Sequence, residues 1–190
     1  MDDRERREFF KTTFNRVAPG YDTPAMPYFL ESAESIAEQM DLDGGEHVLD
    51  VATGTGNAAL ALAGHLPRGR VTGIDLSDGM LAQASEKKAA LGIDNVDFQE
   101  MGMESIRFPD RHFDAAVCAF GIFFVDDMAA QLRHIADKVK EGGKIVVSTF
   151  YEGSFSPIAD LFLEDLRERG VEVPDMSWTK VATREACLSL

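Results

Sequence analysis

Gly54-Thr55-Gly56 closes the apolar run Val48-Leu49-Asp50-Val51-Ala52, and Asp75 lies nineteen residues after Gly56. Glycines where a strand hands over to a helix let the backbone pass close to a ligand and take angles that a Cβ forbids. The amides that open the following helix point into the same crevice, at the carboxyl end of the strands. A carboxylate ending the next strand, as Asp75 does, can accept hydrogen bonds from both hydroxyls of a ribose. Each feature alone is compatible with a plain tight turn. At this spacing they jointly point to an adenosine-type ligand.

Two ligand classes fit. Gly54-Thr55-Gly56-Asn57-Ala58-Ala59 satisfies the dinucleotide pattern G-x-G-x-x-A, which would make the chain a nicotinamide-dependent oxidoreductase. Asp50 argues against this, because a pyrophosphate needs positive potential at the turn and a carboxylate close by opposes it. S-adenosylmethionine carries no phosphate; it has an ammonium, a sulfonium and a carboxylate. Asp50 can attract its cationic end, directly or through water, while the glycine amides meet its carboxylate. Alternatively, Asp50 only hydrogen-bonds the amides of its own turn.

Such a turn needs a strand before it and a helix after it, and the apolar pattern supplies both. Residues 4–17 place Phe9, Phe10, Thr13, Phe14 and Val17 on one helical stripe, stopped by Ala18-Pro19-Gly20. A second helix is expected from Tyr28 to Met40. Strands are then expected at Val48–Ala52, Arg70–Leu76, Asn95–Gln99, Phe113–Phe120 and Lys144–Phe150. Helices fall between or after them, at Asn57–His65, Asp78–Leu91, Asp127–Lys140 and Pro157–Arg169. Strands alternating with helices imply a parallel sheet covered on both faces, an α/β fold.

Composition narrows the partners. Nineteen Lys+Arg stand against thirty-three Asp+Glu in 190 residues, a formal charge of -14. Such a surface repels phosphate backbones and anionic lipid, so no nucleic acid and no membrane is expected as partner. Arg4, Arg6 and Arg7 are interleaved with acids and form no basic patch. Cys118 and Cys187 lie far apart without a CxxC, which excludes a zinc knuckle and a disulfide framework. No apolar run reaches the ~18 residues of a spanning helix, and the charged N-terminus is unlike a signal peptide. The expected location is cytoplasmic.

The motifs resemble those of the class I S-adenosylmethionine-dependent methyltransferases, closest to the branch containing the ubiquinone/menaquinone C-methyltransferases. Val48 to Gly56 is similar to that family's first motif, and Gly73-Ile74-Asp75-Leu76-Ser77-Asp78-Gly79-Met80-Leu81 to its second. Phe108 to Asp114 matches the turn before the fourth strand, and Val139 to Lys144 the helix end before the fifth. Phe14-Asn15-Arg16-Val17-Ala18-Pro19-Gly20-Tyr21-Asp22 is similar to the N-terminal signature of the quinone branch. The resemblance implies a Rossmann-like doubly wound, mainly parallel sheet, S-adenosyl-L-methionine as methyl donor and S-adenosyl-L-homocysteine as product.

Carried over residue by residue, Asp50, Thr53, Gly54, Thr55 and Gly56 would line the methionine end, and Asp75 would hold the ribose. Leu76 and Met80 would pack near the adenine. Gly102 and Met103 would present backbone to the adenine edge, Ala119 and Phe120 would floor the site, and Tyr21 would close over it. Residues 1–40 would form a helical lid and 41–190 the binding domain. This chain departs from the family at several points. Many relatives have Asp at the position of Gly102, where it accepts from the adenine amino group. Quinone enzymes carry a small hydroxyl residue where this chain has Ala119, and polar side chains where it has Phe123-Phe124. The quinone substrate is therefore not carried over. Relatives also continue past the helix at Arg184–Leu190 with two further strands. Without them the fifth strand is an exposed edge, which leaves two alternatives: the sequence is a truncated product, or a partner subunit in a homo-oligomer covers the edge.

Methyl transfer from a sulfonium asks the protein mainly to align donor and acceptor and to exclude water. No catalytic base is identifiable. His47, His65, His112 and His134 show no triad order or metal-ligand spacing, so no metal is expected. Asp126 and Asp127 could face the acceptor but fit the N-cap of the next helix. Phe120, Phe123, Phe124, Phe150, Tyr151 and Phe155 divide between core and an acceptor pocket. The expected reaction is methylation of a small, apolar or aromatic acceptor. The other classes left open are the nicotinamide enzyme and a non-catalytic cofactor-binding or assembly protein.

Overall fold

Five short runs rich in Val, Ile and Ala lie side by side in the computed structural model, which describes residues 3–24, 26–172 and 177–190. They form β1 (His47–Val51), β2 (Arg70–Asp75), β3 (Val96–Glu100), β4 (Phe113–Ala119) and β5 (Val139–Ser148), all parallel, in the order β3-β2-β1-β4-β5. Parallel strands require crossovers, and helices supply three of the four, α3 (Asn57–Gly64), α4 (Asp78–Leu91) and α5 (Met128–Lys138), while β3 reaches β4 through a 3-10 turn at Met103–Ser105. Two helices precede the sheet, α1 (Asp3–Val17) and α2 (Tyr28–Gln39), and two follow it, α6 (Ile158–Glu168) and α7 (Arg184–Leu188).

Side-chain alternation along the strands sorts the core into two layers. Val48, Val71, Val96, Ala115 and Val117 pack under α2 and α3, while Leu49, Val51, Ile74, Ala116 and Cys118 pack under α5 and the turns around it. The α/β reading holds. Because β1 is flanked by β2 on one side and β4 on the other, the winding reverses between β1 and β4. A crevice opens there at the carboxyl ends of the strands.

Local differences from the sequence reading have physical causes. Ala18–Gly20 does not break the chain away; it continues α1 as a 3-10 turn with Ala18 buried. The inward stripe of α1 is Arg6, Phe10 and Phe14, whereas Phe9 and Val17 stay exposed, because Arg6 finds carboxylate partners across the crevice. β5 begins before Gly142-Gly143 instead of after it. Val139 pairs with Phe113, and the register then shifts so that Ala115 faces Lys144. Gly143 sits so close to the Asp114 carbonyl that an added Cβ would lie 2.4 Å away. The outer edge of β5 has no strand beside it among the described residues, and Ile158, Leu161 and Phe162 of α6 are exposed.

Candidate active site

The turn after β1 is built by packing. Gly56 takes a left-handed φ of 82°, and a Cβ there would meet the Phe98 ring at 2.9 Å and Ala84 at 3.0 Å. Its role is to let α3 start against β3 and α4, and it is the one sequence-chosen residue that does not line the cleft. Tyr21, Asp50, Thr53, Gly54, Thr55, Asp75, Leu76, Met80, Gly102, Met103, Ala119 and Phe120 all line it, in a space of about 1130 Å³ counted with its open mouth. Ala52 and Phe120, which directly follow β1 and β4, both adopt left-handed backbone (φ 56° and 54°), a local strain at this rim.

Asp50 is fully buried on the wall of the cleft. Its Oδ2 accepts from the Thr53 hydroxyl at 2.5 Å, whereas Oδ1 has no partner. Burial pushes its carboxyl up to about 7, against the opposing pull of the Thr53 hydroxyl and the Ala59 amide. Asp75 ties the two motifs together: Oδ2 accepts from Gly54 N–H at 2.8 Å and Oδ1 from Ser77 N–H at 2.8 Å. Burial raises its carboxyl as well.

The expectation that both glycine amides face a ligand changes at this point. Gly54 N–H is held by Asp75, and Gly56 N–H by the Thr53 carbonyl at 2.8 Å. Among the described residues, the amides of Thr55, Asn57 and Ala58 carry no hydrogen bond, and all three residues line the cleft. These are the open N–H groups at the start of α3.

From the N-terminal side, α1 and the segment after it cover the opening. Phe10 and Phe14 meet Phe124 edge-on, at 5.0 and 5.3 Å between ring centres. The Tyr21 ring stacks on Phe29, and burial pushes its phenol up to about 12. Asp22, to which the sequence pattern assigns no role, accepts from Thr55 Oγ1, Asn57 Nδ2 and Lys87 Nζ at 2.8–3.0 Å. Burial alone would raise its carboxyl, but these donors outweigh it and hold it below the usual range. Buried Arg6 binds Glu104 at 2.7 Å and also Asp126, and Arg7 binds the other Glu104 oxygen at 2.9 Å. Only the pairing of residues far apart in sequence could reveal these contacts.

Other candidates fall away from the cleft. Asp127 caps α5 by accepting from Ala130 N–H, as expected, and Asp126 serves Arg6. No histidine lines the cleft; His47 bonds Thr72 and Arg70 at the opposite end of the sheet. Of the aromatic cluster, Phe120 and Phe124 face the cleft, Phe123 is core, and Tyr151 is exposed. Among the described residues no group of acids, histidines and cysteines could hold a metal, and no helix is long and apolar enough to cross a membrane.

Comparison with known proteins agrees with this geometry. Residues 48–143 match the family described as methyltransferase domain. The chain is 37% identical over 108 residues to a demethylmenaquinone methyltransferase of Bacillus cytotoxicus, covering 56% of this chain and 46% of the relative. It is 31% identical over 153 residues to a ubiquinone/menaquinone biosynthesis C-methyltransferase of Syntrophotalea carbinolica, covering 78% and 64%. The chain therefore spans roughly half to two-thirds of these relatives' length. A crystal structure of an S-adenosylmethionine-dependent methyltransferase from Aquifex aeolicus superposes with a TM-score of 0.58 at 27% identity, over 66% of this chain and 67% of that one. With the fold, the crevice and both motifs in register, this chain belongs to the class I S-adenosylmethionine-dependent methyltransferases, near the ubiquinone/menaquinone branch.

Proposed function

We propose that the chain is an enzyme that holds S-adenosylmethionine in this cleft and transfers its methyl group to a small apolar or aromatic acceptor. One observation carries the cofactor reading. The buried, unpartnered Oδ1 of Asp50 and the open amides of Thr55, Asn57 and Ala58 belong to residues that line one cleft. A zwitterion with an ammonium and a carboxylate satisfies both at once; a pyrophosphate would leave the aspartate facing like charge.

When bound, the cofactor supplies an electrophilic methyl group on a sulfonium. Around it, Asp50 and the α3 amides fix the amino-acid end, and Asp75 accepts from the ribose hydroxyls. Leu76, Met80 and Met103 give apolar contact to the base. Phe120 and Tyr21 wall the space where donor and acceptor meet. Residues 1–40 act as the lid, of which α1 is the part tied down by Arg6, Lys11 and Asn15. An apolar acceptor is supported by Phe10, Phe14, Phe29 and Phe124 on the cleft walls. The names of the two curated relatives, which refer to demethylmenaquinone and to ubiquinone/menaquinone biosynthesis, agree with an aromatic substrate class.

Calorimetric titration separates the classes. S-adenosylhomocysteine should bind at one site and NADH should not. Binding of NADH alone would identify an oxidoreductase. Tight S-adenosylhomocysteine binding with no label transferred from methyl-labelled cofactor to any of a broad acceptor panel would identify a non-catalytic binding protein.

A further inference from the structure

The adenine end of the cleft poses a hydrogen-bonding problem that the main chain does not solve. Adenine presents acceptor nitrogens and one exocyclic amino donor. Gly102 has no side chain to accept from that amino group. Its carbonyl already accepts from Ser105 N–H at 3.0 Å and from the Ser105 hydroxyl at 3.3 Å. The Met103 carbonyl accepts from Gln131 Nε2 at 2.7 Å. What the backbone still offers there is donors: the amides of Gly102 and Met103 carry no hydrogen bond among the described residues. The base would therefore find partners for its ring nitrogens and none for its amino group.

The carboxylate on this stretch that lines the cleft is Glu104. It is partly buried, and each of its oxygens is bound by a different guanidinium, Arg6 at 2.7 Å and Arg7 at 2.9 Å. The two guanidiniums fix its position. A carboxylate has about four lone-pair sites, so two bonds leave it able to accept more.

We propose that Glu104 is the acceptor for the exocyclic amino group of adenine, with Arg6 and Arg7 of α1 as the positioning residues that hold it there. This rests on the cofactor reading of the cleft and adds to it. Base recognition and docking of the lid helix become one unit, because the residues that orient the acceptor come from the helix that closes the site.

The test compares S-adenosylhomocysteine with S-inosylhomocysteine, in which an oxo group replaces the amino group, by calorimetry on the whole chain. The unsubstituted protein should prefer the amino form by about 10- to 100-fold, the worth of a hydrogen bond to a charged group. Glu104→Ala should abolish that preference, and Arg7→Gln should narrow it. Gly102→Asp added to Glu104→Ala should restore it; a Cβ at Gly102 meets nothing closer than 3.6 Å. Full preference retained in Glu104→Ala would overturn the proposal and leave Glu104 as a clasp for the helix alone. Loss of both ligands from the unsubstituted protein would instead refute the cofactor reading. If Glu104→Ala fails to fold, Glu104→Gln decides: unchanged discrimination counts against the proposal, and a narrowed ratio supports it.

Discussion

The Asn15 carboxamide receives the Ser77 hydroxyl at 2.5 Å, so the end of α1 is joined to the residue that caps α4 and donates to Asp75. The same Oδ1 accepts from Gly79 N–H at 3.0 Å, and Nδ2 donates to Asp78 at 2.9 Å. A Cβ at Gly79 would lie 3.0 Å from that oxygen, so glycine is what allows α1 to approach. Asp75 and the end of α1 thus share one hydrogen-bond chain.

Asn15→Ala is expected to weaken S-adenosylhomocysteine binding by about tenfold, the scale of losing one well-placed acceptor. Amide exchange in α1 should speed up in the same variant. In an Asp75→Asn background the effect of Asn15→Ala on affinity should shrink, since coupled sites are not additive. Equal effects in both backgrounds would mean that the two residues act independently.

Asp50 gives a pH signature. The cofactor's ammonium needs a carboxylate, yet burial keeps the group protonated up to about 7 in the ligand-free protein. Affinity for S-adenosylhomocysteine should therefore fall about tenfold for each pH unit below that value, and Asp50→Asn should remove the slope. The linked stability has the opposite sense. A carboxyl raised in the folded state stabilises at acid pH, and that contribution is lost as pH climbs from the ordinary value of 3.8 to about 7. Without ligand, the Asp50→Asn variant should accordingly melt higher than the parent at pH 8 while binding the ligand poorly.

The close approach of the β1 and β4 ends can be tested by filling it. A methyl group at position 121 would lie 2.7 Å from the Ala52 Cβ and 3.0 Å from Cys118 Sγ. Gly121→Ala should cost about 1–3 kcal/mol through overpacking, read as a lowered denaturation midpoint with unchanged far-ultraviolet dichroism. No change in midpoint would mean that the two strand ends stand further apart.

Much of this is legible in the sequence because it is local. The helix expected at Asp78–Leu91 keeps those bounds, between the Ser77 cap and Gly92 in left-handed backbone. The parallel sheet with helices on both faces follows from alternation of strands and helices; its strand order does not. What escapes is set by distant pairs. Phe9 and Val17 share a stripe with Phe10 and Phe14 on paper, but Arg6 takes the inward face because Glu104 and Asp126 lie across the cleft. Asp22 gains its role only when folding brings Thr55, Asn57 and Lys87 around it. Spacing alone assigns the glycine amides to a ligand, because it says nothing about Asp75 reaching back to Gly54.

The most direct measurement is a crystal structure of the chain grown with S-adenosylhomocysteine. The ribose hydroxyls should lie within hydrogen-bond distance of Asp75, and the amino group of the amino-acid end should face Asp50. Ligand density elsewhere, or an occupied cleft with Asp75 turned away from the sugar, would contradict the assignment.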